Sequence, residues 1–232
     1  MGQVLDFIEV GTSDFNTIIE SCPDDTRGIS MEPLKFYLDN LPNKPFVKKF
    51  AAALVPTPSP SIDVYYIEPE LINKPELGLY EFMKGCNSVG KPHDFHIKYN
   101  RFSTGHEDEH TTYRNLIEEG LVTIKKVPAL TYYQLMEMYN IEYVRVIKLD
   151  TEGQDSALLN SILDYYETSR KKLPSIIEFE TNGHNQYEDL IQVCLRLMSL
   201  NYKLQIGDLY YNDFQNFNGT FGMDCVATLI EE

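Results

Sequence analysis

The stretch VLDFIEVGTSDFN, residues 4–16, constrains the fold more than any other part of the chain. Val4, Phe7, Ile8 and Val10 form an apolar run too short for a useful helix, and Gly11 ends it. This reads as a buried strand entering a turn. Thr12, Ser13 and Asp14 supply cap-type side chains ahead of the helical spacing of Phe15, Ile18 and Ile19. A strand–glycine–helix junction presents backbone N–H groups, and glycine allows a ligand to approach the main chain closely. The same junction also serves as a plain α/β turn, so the next strand decides its meaning. That strand is GISME, residues 28–32, followed by Pro33. An acidic residue ending the second strand, about 20 residues after the glycine turn, is placed to accept hydrogen bonds from ribose hydroxyls. Glu9 and Glu32 therefore bracket a nucleoside-sized site.

At 232 residues and 43% hydrophobic content the chain can bury one large core, so a single domain is expected over residues 1–232. Twenty lysines and arginines stand against 35 aspartates and glutamates, a net charge of −15. That balance argues against nucleic-acid and anionic-membrane partners, because phosphate binding needs a basic footprint. No apolar stretch has the length of a membrane span, and the start lacks a basic-then-apolar signal pattern. Cys22, Cys86, Cys194 and Cys225 are scattered without metal-type pairing and fit a reducing, cytoplasmic compartment. The first strand begins almost at the first residue, which suits a domain cut from a longer multidomain chain.

Residues 34–41 read as a short helix stopped by Pro42, and residues 46–55 (FVKKFAAALV) as a third strand. Small side chains near its end, Ala53 among them, leave room for a flat ring or simply pack closely. Residues 62–67 are strand-like. From 68 to 119 the periodicity is poor and Gly, Pro, His and Asn are frequent, which marks a lid or insertion. Within it Asn87 and Ser88 offer small polar groups to a ligand, or form an ordinary turn. His106-Glu107-Asp108-Glu109-His110 fits the H-E-x-x-H pattern literally, but no apolar stripe would pack such a helix, so a solvated acidic loop is the better reading.

Regularity returns with a strand at 122–127, a helix at 132–139 and the stretch YVRVIKLDTEGQDSALL, residues 143–159. There a buried strand ends in Asp150 and a turn leads into a helix. Residues 175–179 form another strand running into Glu180-Thr181-Asn182, with His184 close behind. Carboxylates at strand ends sit at the crevice where open α/β sheets bind ligands. Asp150, Glu180 and Asn182 together make a hard oxygen set suited to Mg²⁺ or another divalent cation, or else act as caps and loop ties. A helix at 187–200 follows, and strands at 203–211 and 223–230 suggest an antiparallel pair at one sheet edge.

FIEVGTSDFNTI, SMEP, IKLDTEGQDSALL and IIEFETN, in that order, resemble the FkbM-type methyltransferases, class I enzymes dependent on S-adenosylmethionine. The resemblance spans most of the chain outside 68–119, and Lys148–Gly153 is its most specific piece. It implies a Rossmann-like, mostly parallel seven-stranded sheet, the last strand antiparallel, with helices on both faces. It implies that Glu9, Gly11 and Ser13 line the methionine part of the cofactor, with Thr12 among the cofactor-binding residues, and that Glu32 holds its ribose. Ala53, Asn87 and Ser88 would contact the cofactor further along, and Asp150 and Glu152 would border the reacting centre. Family members usually carry a second glycine in the first loop, where this chain has Ser13-Asp14. The implied activity is O-methylation of a hydroxyl on a sugar or glycan acceptor. His184, His93, His96, Asp150 and Glu180 are the groups available to manage the hydroxyl proton. Similar domains occur in multidomain glycan-building proteins, including those of large algal viruses, which would place the protein in a host cytoplasm. The rival readings are a binding module of the same fold, a nicotinamide dehydrogenase lacking its full G-x-G-x-x-G, and the zinc protease.

Overall fold

The computed structural model describes residues 2–13, 16–99, 113–181, 187–211 and 224–230. Two compact units emerge: Met1–Ser61 with Pro128–Glu232, and Ile62–Val127. The 68–119 stretch falls inside the second.

In chain order the elements begin with β1 (Gln3–Val10), α1 (Ile18–Ser21), β2 (Gly28–Met31), α2 (Lys35–Asn40), β3 (Val47–Phe50) and β4 (Ala53–Leu54). Next come β5 (Ser61–Tyr66), α3 (Pro69–Ile72), β6 (Ser88–Val89), α4 (Asp94–Ile97) and β7 (Thr123–Leu130). The chain continues through α5 (Tyr132–Met138), β8 (Ile141–Leu149), α6 (Asp155–Ser169), β9 (Ile176–Glu180) and α7 (Tyr187–Ser199). It closes with β10 (Tyr202–Ile206), β11 (Leu209–Tyr211) and β12 (Asp224–Leu229).

The first unit is built on an eight-stranded sheet in the order β11-β10-β12-β9-β8-β1-β2-β3. From β3 to β9 neighbouring strands run parallel; β12 is antiparallel to both β9 and β10, and β11 is antiparallel to β10. The architecture is mixed α/β with a large, mostly parallel sheet. Consecutive strand residues face opposite sides, and the sheet is covered on both. Phe7 and Val146 pack with Ile18, Ile19 and Leu38 of α1 and α2. Ile8, Ile147 and Ile177 belong to the main core with Leu159 and Ile162 of α6 and Val193 and Leu197 of α7. Among the described residues no helix is long and apolar enough to cross a membrane.

Three expectations are corrected. The sheet has eight strands rather than seven, because Gly207 (φ 55°) breaks the 203–211 stretch into the β10–β11 hairpin. The closing stretches do pair antiparallel, β10 with β12, but not as the outermost strands: β11 takes the edge and β12 enters between β9 and β10, where Cys225 and Ala227 are fully buried. The 46–55 strand is two elements, since Ala52 N–H donates back to the Phe50 carbonyl (3.1 Å) and turns the chain. β4 then pairs parallel with Ala129 and Leu130 rather than with the large sheet.

The second unit has short elements around Ile67, Ile72, Met83, Cys86, Tyr99 and Leu116. Tyr99 ties it together: its hydroxyl donates to the Gly78 carbonyl (3.0 Å) and accepts from Tyr80 N–H (3.1 Å). β5 and β6 pair antiparallel through Val64–Val89 and Tyr65–Ser88.

Gly28 faces Phe7 across the β1–β2 pair, and a Cβ there would lie 2.3–2.6 Å from three atoms of the Phe7 ring. Phe7 is only 1% exposed, so the ring has nowhere to go. Gly28→Ala is expected to cost about 1–3 kcal/mol of stability by overpacking. In denaturant titrations, Phe7→Leu should recover part of that loss, with a coupling above about 0.5 kcal/mol; strict additivity would count against this packing.

Candidate functional site

Strand order reverses between β1 and β8, since β2 and β3 lie to one side and β9 to the other. In open α/β sheets such a switch point opens a crevice at the carboxyl ends of the strands. Gly11, Glu32, Asp150 and Glu180 all lie at those ends. Asp150 N–H donates to the Val10 carbonyl and Gly11 N–H to the Met31 carbonyl, each at 3.0 Å, so the strand ends are locked together.

Gly11 has φ +79°, and a Cβ on it would sit 1.8 Å from the Asp150 carbonyl oxygen. The space a side chain would take is therefore filled by the loop after β8. The glycine thus serves the junction of two loops.

The first loop is held from several directions. Ser13 and Asn16 both take left-handed backbone conformations (φ 41° and 53°), and Ser13 N–H donates to Glu32 Oε2 (2.9 Å). The other Glu32 oxygen accepts from Leu34 N–H (2.8 Å), so this 3%-exposed carboxylate joins the first loop to the entry of α2. Glu9, only 1% exposed, accepts from Ile18 N–H (2.6 Å) and lies 3.8 Å from Lys148 Nζ, which also donates to the Asn16 carbonyl (2.5 Å). Burial raises the Glu9 pKa against the pull of these partners. Capping of α1 falls to Thr17, in a capping box with Glu20, and not to the Thr12–Ser13 pair; Thr12 Oγ1 donates to the Ser13 carbonyl.

The second loop gathers carboxylates. Asp150, Glu152 and Glu180 each offer an oxygen, all within 4.8 Å of one another. Glu152 itself takes φ 52°, with Gly153 at φ 105° beside it. Burial and the neighbouring Glu152 and Asp155 push the Asp150 carboxyl up to about 7. Glu180 rises to about 9 through burial and the charges of Asp150, Glu152, Asp155 and Asp224. Left-handed non-glycine residues in both loops store strain where the acidic groups meet.

Asn182 and His184 lie outside the described residues, as does the 106–110 histidine motif. Ala53 is 2% exposed and paired with Ala129, consistent with close packing. Asn87 Nδ2 donates to the Lys84 carbonyl (2.6 Å) and Ser88 Oγ to that of Lys91 (2.7 Å), ties of an ordinary turn in the second unit. His93 and His96 belong to that unit too. His93 Nδ1 accepts from Phe95 N–H, and His96 Nδ1 from His93 N–H. His96 is fully buried and its pKa falls to about 4 through burial and the His93 charge, so the ring is neutral near pH 7. Sequence reasoning missed Asp224, which stands opposite Glu180 in the β9–β12 register, and Asp155, whose Oδ1 accepts from Thr151 N–H (3.2 Å). Only the acidic first turn after the Asp150 loop hinted at Asp155.

Neither a protein-family model, nor a curated protein, nor a solved structure matches the chain.

Asp150 and Glu180 hold protons in the folded state at pH values where the unfolded chain has released them. Their contribution to stability is thus complete below the ordinary carboxylate range. It is lost as pH rises through about 7 for Asp150 and about 9 for Glu180. Calorimetry should show the melting temperature falling as pH rises from the ordinary carboxylate range to about 9, with a loss of stability on the order of 2–4 kcal/mol. Glu180→Gln should flatten the slope, and Mg²⁺ should raise the wild-type melting temperature more at high pH than at low. An unchanged slope in the variant would assign the effect elsewhere.

Proposed function

We propose that the protein is an S-adenosylmethionine-dependent O-methyltransferase acting on a hydroxyl of a sugar or glycan. The observation that carries this reading is the convergence of Glu32, Asp150, Glu152 and Glu180 on the carboxyl ends of parallel strands beside the β1–β8 switch point. The strand pattern supports it as well. With β11 set aside, the remaining strands make a seven-membered sheet whose last strand in the chain, β12, is antiparallel. That pattern supports the class I arrangement that the FkbM resemblance implies. The left-handed Ser13 supports it too, since it adopts at the second loop position a backbone conformation that glycine would take without strain.

The donor chemistry fits the cofactor. Glu32 has its rotamer fixed by two backbone N–H groups at the end of β2, the position from which a carboxylate receives ribose hydroxyls. S-adenosylmethionine supplies an electrophilic methyl group on a sulfonium. The protein aligns the acceptor hydroxyl with that group, and positioning carries much of the rate. Asp150, raised to about 7, takes the hydroxyl proton as a base matched to neutral pH. Asp150, Glu152 and Glu180 also form a hard oxygen set that fits Mg²⁺, and a cation there would lower the pKa of a hydroxyl bound to it.

Calorimetric titration with S-adenosylhomocysteine tests the reading. Micromolar binding is expected, weakened about 10- to 100-fold by Glu32→Gln, the size expected for lost hydrogen bonds to a charged acceptor. Dependence on Mg²⁺, abolished by Glu152→Gln, separates the cation role from the base role of Asp150. Absence of binding in a folded sample would leave the binding module as the surviving reading.

A further inference from the structure

Two hollows in the first unit share Tyr133 and Glu137 of α5. One, of about 630 Å³, is floored by Pro58, Pro60, Leu130 and Met138. The other, of about 510 Å³, is edged by Asn140, Thr168 and Lys171. Each lies within the range of about 300–1,000 Å³ typical of ligand sites. Tyr133 lines both and is 55% exposed. It is not a loose side chain. Its ring meets Tyr165 edge-on, 5.9 Å between centroids at 72°. The side chain therefore packs against a neighbouring ring while much of its surface stays open to solvent.

The groups around that ring select a chemistry. Gln134 caps α5 through Oε1, which accepts from Thr131 N–H (2.8 Å), and this orients its amide donor on the same exposed helix surface. Glu137 disfavours an anionic ligand. The mixture of Gln134, Glu137, Asn140 and Lys171 disfavours a purely apolar one. What remains is a neutral molecule with both C–H faces and hydroxyl pairs: an apolar face for the exposed tyrosine, vicinal hydroxyls for a carboxylate and a carboxamide. We infer that the paired hollows astride Tyr133 are a binding groove for a neutral oligosaccharide chain, one sugar residue on each side of the ring.

The groove is separate from the candidate catalytic crevice. Asn140 precedes β8, and Lys171 Nζ donates to the carbonyl of Ile141 at the start of that strand (2.6 Å), whereas Asp150 follows its other end. The inference accordingly does not depend on the methyltransferase reading.

Saturation-transfer NMR on the full chain, with maltotriose and triacetylchitotriose as separate probes, tests it. At least one should bind with a dissociation constant of about 0.1–10 mM, as expected for a shallow open site. Transfer should reach the C–H protons of two adjacent sugar rings. Tyr133→Ala should weaken binding about tenfold or more, and Glu137→Gln several-fold. Both positions are exposed, so an unchanged melting temperature would show that the fold is intact. Binding should persist with excess S-adenosylhomocysteine. The inference is overturned if neither trisaccharide binds, or if Tyr133→Ala binds them as the wild type does. It is equally overturned if a decaproline peptide occupies the groove while the sugars do not, since prolines and an exposed tyrosine also suit a polyproline helix.

Discussion

A backbone carbonyl occupies the place where residue 11 would carry a side chain. With the Asp150 oxygen 1.8 Å from a would-be Cβ, the end of β1 and the loop after β8 can meet only if position 11 is glycine. The reciprocal hydrogen bond from Asp150 N–H to the Val10 carbonyl then fixes the two strand ends in register. Much else follows from this contact. It closes the central strand pair at its carboxyl end, and it sends the two following loops away on either side of the switch point. It also brings the acidic groups of the second loop onto Glu180. A larger residue at position 11 would separate strands that the main core depends on, because Val10 and Leu149 are both buried there.

How much of this was legible depends on the range of the interaction. The strand ends were readable from local signals: an apolar run, a glycine, an acidic residue. Hence Glu9, Gly11, Glu32, Asp150 and Glu180 are all legible in the sequence as residues at or beside strand ends. The Asp150 carbonyl packed beside Gly11 was not legible, because periodicity says that a turn occurs and not what fills the space beside it. Asp224 was invisible for a different reason. It joins Glu180 only because β12 inserts between β9 and β10, a non-local pairing that follows from small buried residues, Cys225 and Ala227, fitting inside the sheet. Strand breaks were lost similarly: Gly207 and the Ala52–Phe50 bond divide segments whose apolar patterns run on unbroken. The mid-chain polar residues Asn87 and Ser88 look alike in sequence whether they close turns or meet ligands, and the bonds described for them are those of a turn.

The acidic cluster has a physical logic distinct from the net charge of −15. Surface carboxylates repel weakly through water and salt. Asp150, Glu152 and Glu180 are instead partly buried, close together, and joined by Asp155 and by Asp224 across the sheet. Lys148 lowers the Asp150 pKa, and it is shared with Glu9 and the Asn16 carbonyl. Like charges directly opposite in a sheet are destabilising, and a left-handed Glu152 adds backbone strain. Stability alone would favour removing one of these groups. Their retention is reasonable if protons, a cation or a polarised hydroxyl complete the site during its work, and an Asp150 that titrates near 7 is equipped to exchange one for another. The buried Glu9 and Glu32 show the contrasting case: each carboxylate accepts hydrogen bonds from loop N–H groups, so it shapes the site. The acids that organise the loops and the acids suited to chemistry are thus separated by their hydrogen bonding, although all of them stand at or just before the ends of parallel strands.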